Sequence, residues 1–144
     1  MTAIKVTLKE GAVLPEYKTN GSAGADISAL VDEPIVIKPA ERALVPTGIF
    51  MEIPENYEVQ VRPRSGLSIQ HGITLLNSPG TIDSDYRGEL KLILVNHGSE
   101  NFTITNGMRI AQIIAAPVMR AQFVLSDKLD LTERNEGGFG HTGV

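Results

Sequence analysis

Cysteine and tryptophan are absent from this 144-residue chain. Without cysteine there is no disulfide framework and no thiolate metal site. The three histidines, His71, His97 and His141, are far apart and match no His/Cys metal spacing. No run of about 18 apolar residues is available to span a membrane. The N-terminal stretch MTAIKVTLKE lacks a basic segment followed by an apolar one, so it does not read as a secretory signal. A cytoplasmic location is the expectation. An excess of positive charge is missing too: the formal net charge is −4, whereas stable nucleic-acid binding wants a basic face. Walker A, GxGxxG and GxSxG patterns do not occur, which sets P-loop and elbow-type hydrolase chemistry aside. A small anion remains possible, since it needs only a local cluster of donors. An acidic protein that binds a polyphosphate needs a divalent cation to offset repulsion.

What is present is a soluble globular balance of 42% hydrophobic and 21% charged residues, in a length suited to one domain. Short extended runs recur, cut by Pro, Gly and Asn. Ile4 to Leu8 alternates with period two, as a half-buried strand does. Further β-rich runs are Pro34–Ile37, Ala43–Val45, Gly48–Ile53, Tyr57–Val61, Ile73–Leu76, Leu90–Val95, Phe102–Thr105, Ile110–Val118 and Gln122–Leu125. Turn signals about every 8–12 residues predict an all-β sandwich or barrel. The eight scattered prolines leave little room for long helices. One short helix is expected from Ser65 to His71, with Ser65 as N-cap and Gly72 as terminator. After Leu131 the chain turns glycine-rich and cannot bury enough apolar area to order itself. The expected division is therefore a β-barrel domain over 1–131 and a flexible tail over 132–144.

Five segments carry potential chemistry. Ala23-Gly24-Ala25-Asp26 lets backbones approach closely and offers a carboxylate, although alone it reads as a turn. Arg62-Pro63-Arg64-Ser65-Gly66-Leu67 opens the expected helix, where free N–H groups, a hydroxyl and a guanidinium fork suit phosphate. Asn77 to Glu89 reads as a hairpin between the Ile73 and Leu90 runs. Spare backbone donors and acceptors there suit a base edge, Asp83 suits activation of water, and Tyr86 offers a flat surface for a sugar. Taken alone, that hairpin reads as a solvated acidic turn. In Gly107 to Ile114, Arg109 and Gln112 interrupt an apolar run, and buried polar groups need partners. In the tail, glycine backbone N–H groups suit phosphate and Phe139 suits stacking on a base.

In this order the five segments resemble the five motifs of the trimeric dUTP pyrophosphatases (dUTPases). The matching stretches are AGAD at 23–26, PRSGL at 63–67, GTIDSDYRGE at 80–89, RIAQ at 109–112 and RNEGGFGHTG at 134–143. The resemblance runs from about residue 20 to the end. It implies a jelly-roll-type β-barrel, assembled as a homotrimer with active sites shared at subunit interfaces. It implies hydrolysis of dUTP at the α-phosphorus to dUMP and pyrophosphate. Asp83 would be the general base, Tyr86 would lie under the deoxyribose, and Asn77 with the hairpin backbone would pair with uracil. Arg64, Ser65, Gly66 and Gln112 would hold the phosphates. Arg134, Gly138, His141 and Thr142 would close on the β- and γ-phosphates, with Phe139 stacked on uracil. Asp26, Asp85 and Arg109 would support the site. Mg²⁺ would be held by the triphosphate and water rather than by a protein cage.

The chain departs from the family at Asn135, where Gly is common, and at His141, where Ser is common. Neither touches Asp83 or Phe139. A dCTP deaminase is the rival enzyme; it needs a catalytic glutamate, and Glu89 is the acidic alternative to the aspartates within its segment. A non-hydrolysing nucleotide-binding module is the rival of another class.

Overall fold

The computed structural model describes residues 2–139. The period-two patterns become strands, in order β1 (Lys5–Leu8), β2 (Ala25–Ser28), β3 (Ile35–Ile37), β4 (Arg42–Pro46), β5 (Ile49–Glu52), β6 (Tyr57–Arg62), β7 (Ile73–Leu75), β8 (Gly80–Ile82), β9 (Lys91–Asn96), β10 (Phe102–Ile104) and β11 (Arg109–Pro117). One helix, α1 (Ser65–His71), separates β6 from β7. All strand pairs are antiparallel. A four-stranded sheet has the order β2-β11-β6-β8 and a three-stranded sheet the order β4-β9-β7; β1 pairs with β5, and β10 with β3. The result is an all-β fold of jelly-roll type, as expected. Among the described residues no helix is long and apolar enough to cross a membrane.

Alternation decides which face each strand buries. In β6, Val59 and Val61 are buried while Glu58, Gln60 and Arg62 face the other way. Fully buried Ile27, Val45, Ile49, Ile73, Leu90, Leu92, Leu94, Ile104 and Ile110 draw on all four sheets and form one core. Each such side chain contributes about 1.5–3 kcal/mol relative to exposure. Among the described residues every buried side-chain nitrogen and oxygen has a hydrogen-bond partner. Asn96 donates to the Ile37 and Glu100 carbonyls at 2.9 and 2.8 Å and accepts the Gly98 N–H at 2.8 Å. Thr47 donates to the Leu90 carbonyl at 2.6 Å.

Four local expectations are corrected. Of Ala23-Gly24-Ala25-Asp26, read alone as a turn, Ala25 and Asp26 belong to strand β2, because β11 supplies the pairing partner that a local reading cannot see. Ser65 is the first helical residue, not the N-cap; extended Arg64 takes that place without a side-chain cap, while Gly72 ends the helix in the left-handed region as expected. The 77–89 segment is more than a hairpin. β7 does pair with β9, but between them β8 leaves for the other sheet and pairs with β6. Finally, the Gln122–Leu125 run forms no strand, and Phe123 and Leu125 stand 96% and 99% exposed. A strand needs a neighbour for its backbone groups, and nothing in the single chain provides one.

Candidate functional site

The antiparallel register sets a row of polar side chains across one face of the larger sheet. Asp26 on β2 stands opposite Gln112 on β11, and Gln112 stands opposite Arg62 on β6. Facing residues across an antiparallel pair are close enough to interact directly. Asp26, only 16% exposed, accepts from Arg109 Nη1 at 2.7 Å and lies 3.5 Å from Arg64 Nε. Arg64 Nη1 also donates to the Arg109 carbonyl at 3.0 Å. Gln112 Nε2 donates to the Pro63 carbonyl at 3.1 Å. One carboxylate thus orients two guanidinium groups beside an amide, in a cleft that Lys18 and Arg62 also line. Three arginines and Lys18, the last paired with Glu16, outnumber the carboxylates here and make a local positive field in a protein of net charge −4. Ser65 and Gly66 follow directly, exposed in the first turn of α1.

The fourth segment is less buried than its sequence suggests. Arg109 is half exposed, because a β-bulge between Arg109 and Ala111 turns it outward. Gln112 is half buried.

The second cluster sits on the excursion between β8 and β9. Asp83, Asp85 and Tyr86 are exposed, and Asp83 and Tyr86 line one cleft with Leu44, Thr81 and Lys91. Tyr86 N–H donates to the Asp83 carbonyl at 3.2 Å and its hydroxyl to the Glu89 carbonyl at 3.0 Å. Arg87 Nη1 donates to the Ser84 carbonyl at 2.7 Å and the Tyr86 carbonyl at 3.0 Å, which stiffens the loop. Asn77 is exposed beside a small hollow lined by Gly80, Thr81 and Lys91.

Glu89 was the candidate acid of the deaminase reading, and its environment suits a structural part. Its carboxylate, 9% exposed, accepts from Lys9 Nζ at 2.8 Å and from the Gly48 N–H at 3.0 Å. Burial pushes this carboxyl up, but the Lys9 hydrogen bond, the Gly48 N–H and the charges of Lys9 and Lys91 outweigh it and hold it below the ordinary glutamate range. A carboxylate so engaged is a poor acid–base group.

One chain does not bring the two clusters together. Val59 pairs with Ile82, so Asp83 stands level with Glu58, and Arg64 lies six positions further along from 58 to 64. At the rise of a strand that is about 20 Å. The cleft of Asp26, Arg64 and Gln112 shares no lining residue with that of Asp83 and Tyr86. The described tail residues line neither cleft: Phe139 is fully exposed, and Arg134 Nε donates to the nearby Gly137 carbonyl at 2.7 Å. Gly138 lies beside Phe139 in this stretch, and His141 and Thr142 fall outside the described residues. Lys18 lay outside the five segments, and Arg62 opened the second of them without being given a role. The signal for Arg62 was its alternation with Arg64 along an extended run.

A model of the family described as dUTPase matches residues 10–143. The chain belongs to the dUTPase family. Its similarity to curated dUTPases extends over almost the whole chain. It is 60% identical over 137 residues to the deoxyuridine 5′-triphosphate nucleotidohydrolase of Treponema denticola, covering 95% of both chains. It is likewise 60% identical over 138 residues to the enzyme of that name from Chlamydia pneumoniae, again covering 95% of both. Among solved structures, the dUTPase of Staphylococcus bacteriophage 80alpha with dUPNHPP matches with a TM-score of 0.89 and 26% identity, over 100% of both chains. The dUTPase fold therefore persists at a quarter identity.

Proposed function

We propose that this chain hydrolyses dUTP to dUMP and pyrophosphate, at sites built between copies of itself. The reaction rests above all on the near-full-length 60% identity to enzymes named for it. It limits uracil incorporation into DNA and supplies dUMP for thymidylate synthesis, in the cytoplasmic nucleotide pool. The Asp83 carboxylate takes a proton from water as the water oxygen attacks the α-phosphorus in line. The bond from that phosphorus to the oxygen bridging to the β-phosphate breaks, and pyrophosphate leaves. A positioned base contributes about 10²–10⁴-fold. Placement and charge stabilisation must supply most of the rest.

Arg64, Ser65 and Gly66 hold the phosphates, with Gln112 near the α- and β-phosphates. Asp26 fixes Arg64 and Arg109 through the contacts already described, and Asp85 supports the hairpin. Tyr86 lies under the deoxyribose, and Asn77 with the hairpin backbone pairs with uracil. The 132–144 tail closes the site over the barrel unit of residues 1–131: Arg134, Gly138, His141 and Thr142 meet the outer phosphates, and Phe139 stacks on the base. Among the described residues no three Asp, Glu or His side chains converge on one point. Mg²⁺ would instead be carried in on the triphosphate and water. When bound, Mg²⁺ neutralises phosphate charge and so favours the departure of pyrophosphate.

Two observations support a homotrimer with shared sites. Asp83 and Arg64 are too far apart in one chain to act on one triphosphate. Beyond the last strand, Met119, Phe123, Leu125, Leu129 and Leu131 are 95%, 96%, 99%, 87% and 89% exposed. So many large apolar side chains in succession mark a surface made to be covered, and a second copy of the chain is the occupant that also completes the site. Co-expressed Asp83→Asn and Arg64→Ala chains test this. Each variant alone is inactive, whereas random mixing regenerates intact sites and restores about one quarter of the wild-type rate. A mixture as inactive as its parents would place the whole site within one chain.

A further inference from the structure

Three segments distant in sequence meet behind the Tyr86 loop in a closed ring of hydrogen bonds. The Lys9 N–H donates to the Gly48 carbonyl at 2.9 Å. The Gly48 N–H donates to Glu89 Oε1 at 3.0 Å. Lys9 Nζ closes the ring on Glu89 Oε2 at 2.8 Å. The ammonium of Lys9 also lies 5.8 Å from the centre of the Phe50 ring. Gly48 has φ +68°, and a Cβ there would lie 2.5 Å from Leu30 Cδ2, so the turn carrying the central N–H accepts no other residue without distortion. Next door, the Leu90 N–H donates to the Ile49 carbonyl at 2.8 Å and Thr47 Oγ1 donates to the Leu90 carbonyl at 2.6 Å. The backbone of residues 89–90 is therefore fixed to residues 47–49 from both sides.

That backbone is what holds the tyrosine. The Tyr86 hydroxyl donates to the Glu89 carbonyl at 3.0 Å. The ring folds back over Gly88, where a Cβ would lie 2.3 Å from the tyrosine oxygen. Nothing bulkier than glycine fits beneath it, so the position of the ring follows the path of residues 88 and 89. The Glu89 side chain anchors that path.

We propose that Glu89, through its ring with Lys9 and Gly48, is a positioning residue that holds Tyr86 against the sugar and thereby sets discrimination between deoxyribose and ribose. The proposal rests on Tyr86 being the surface under the sugar. A displaced ring opens space where a 2′-hydroxyl would otherwise clash, and small misplacements of a positioning surface have large kinetic effects. Glu89→Gln keeps an acceptor for the Gly48 N–H but removes the charge paired with Lys9. Lys9→Met removes the other partner from a half-exposed position and leaves the loop sequence untouched.

The experiment measures kcat and KM for dUTP and for UTP in wild type, Glu89→Gln, Lys9→Met, the double variant and Tyr86→Ala. Both single variants are expected to lower the dUTP-over-UTP ratio of kcat/KM by roughly tenfold, mainly through a higher KM for dUTP. The double variant is expected to lose no more than the worse single one, because both act through one contact. A ring that served stability alone would shift the melting temperature and leave the ratio unchanged. An unchanged ratio in the Glu89 and Lys9 variants, with a collapsed ratio in Tyr86→Ala, overturns the positioning role. A ratio unchanged in all of them overturns the reading of Tyr86 and the proposal with it.

Discussion

Asp83→Asn is expected to lower kcat on dUTP by at least about 10³-fold while nucleotide affinity stays within a few fold of wild type. The amide keeps the shape and the neighbouring contacts but has no proton affinity to offer water. A general base contributes about 10²–10⁴-fold, and the expected loss lies in that range. Asp83 is exposed at the end of β8 and its backbone carbonyl accepts the Tyr86 N–H at 3.2 Å. The substitution changes neither the core nor that turn, so folding should be unaffected. Paired measurements of single-turnover rate and calorimetric dUTP binding check it. Wild-type turnover in the variant would mean that another group activates the water.

Removal of residues 132–144 is expected to lower kcat/KM by about 10²-fold or more with almost no change in thermal stability. Up to Phe139 the hydrogen bonds of this stretch are local: Thr132 with Asn135, and Arg134 with Gly137. Glu133 and Glu136 are exposed, and Phe139 contributes no burial. Such a segment adds little to folding. Ordering ten residues costs about 10 kcal/mol or more, which only a ligand with several charged and stacking contacts can offset. On the proposed reading, the tail acts only when nucleotide is present. Melting curves with and without a non-hydrolysable nucleotide separate the two states: full-length protein should gain more from the nucleotide than the truncated chain. An unchanged rate after truncation would show that the tail is not a lid.

Much of the fold was legible because alternation is a local signal. Tyr57-Glu58-Val59-Gln60-Val61 announces a strand with valines inside, and β6 has that form. What was not legible is long-range pairing. Ala23 to Asp26 looks like a turn until β11 is placed beside Ala25 and Asp26. Gln122–Leu125 looks like a strand until the absence of a neighbour within the chain is noticed. The β8 excursion to the second sheet is equally invisible, since Thr81 and Ile82 give no hint of Gln60 and Val59 as partners. For the site, residue types offered Asp83, Tyr86, Arg64 and Gln112 as candidates, and the family resemblance supplied the role expected of each. That Asp26 orients two arginines, and that Glu89 joins Lys9 to Gly48 across about 80 residues of sequence, depends on the fold. Those contacts could only be seen in three dimensions.

Product analysis tests the central claim most directly. dUTP, dCTP, dTTP and UTP are each incubated with the protein and Mg²⁺, and the products are separated by phosphate-resolved chromatography. The expected result is rapid release of dUMP and pyrophosphate from dUTP, with the other three almost untouched. That outcome fixes the bond broken, the base read and the sugar read together. Tight dUTP binding without hydrolysis of any substrate would contradict the account and point to a nucleotide-binding module, and ammonia released from dCTP would point to a deaminase.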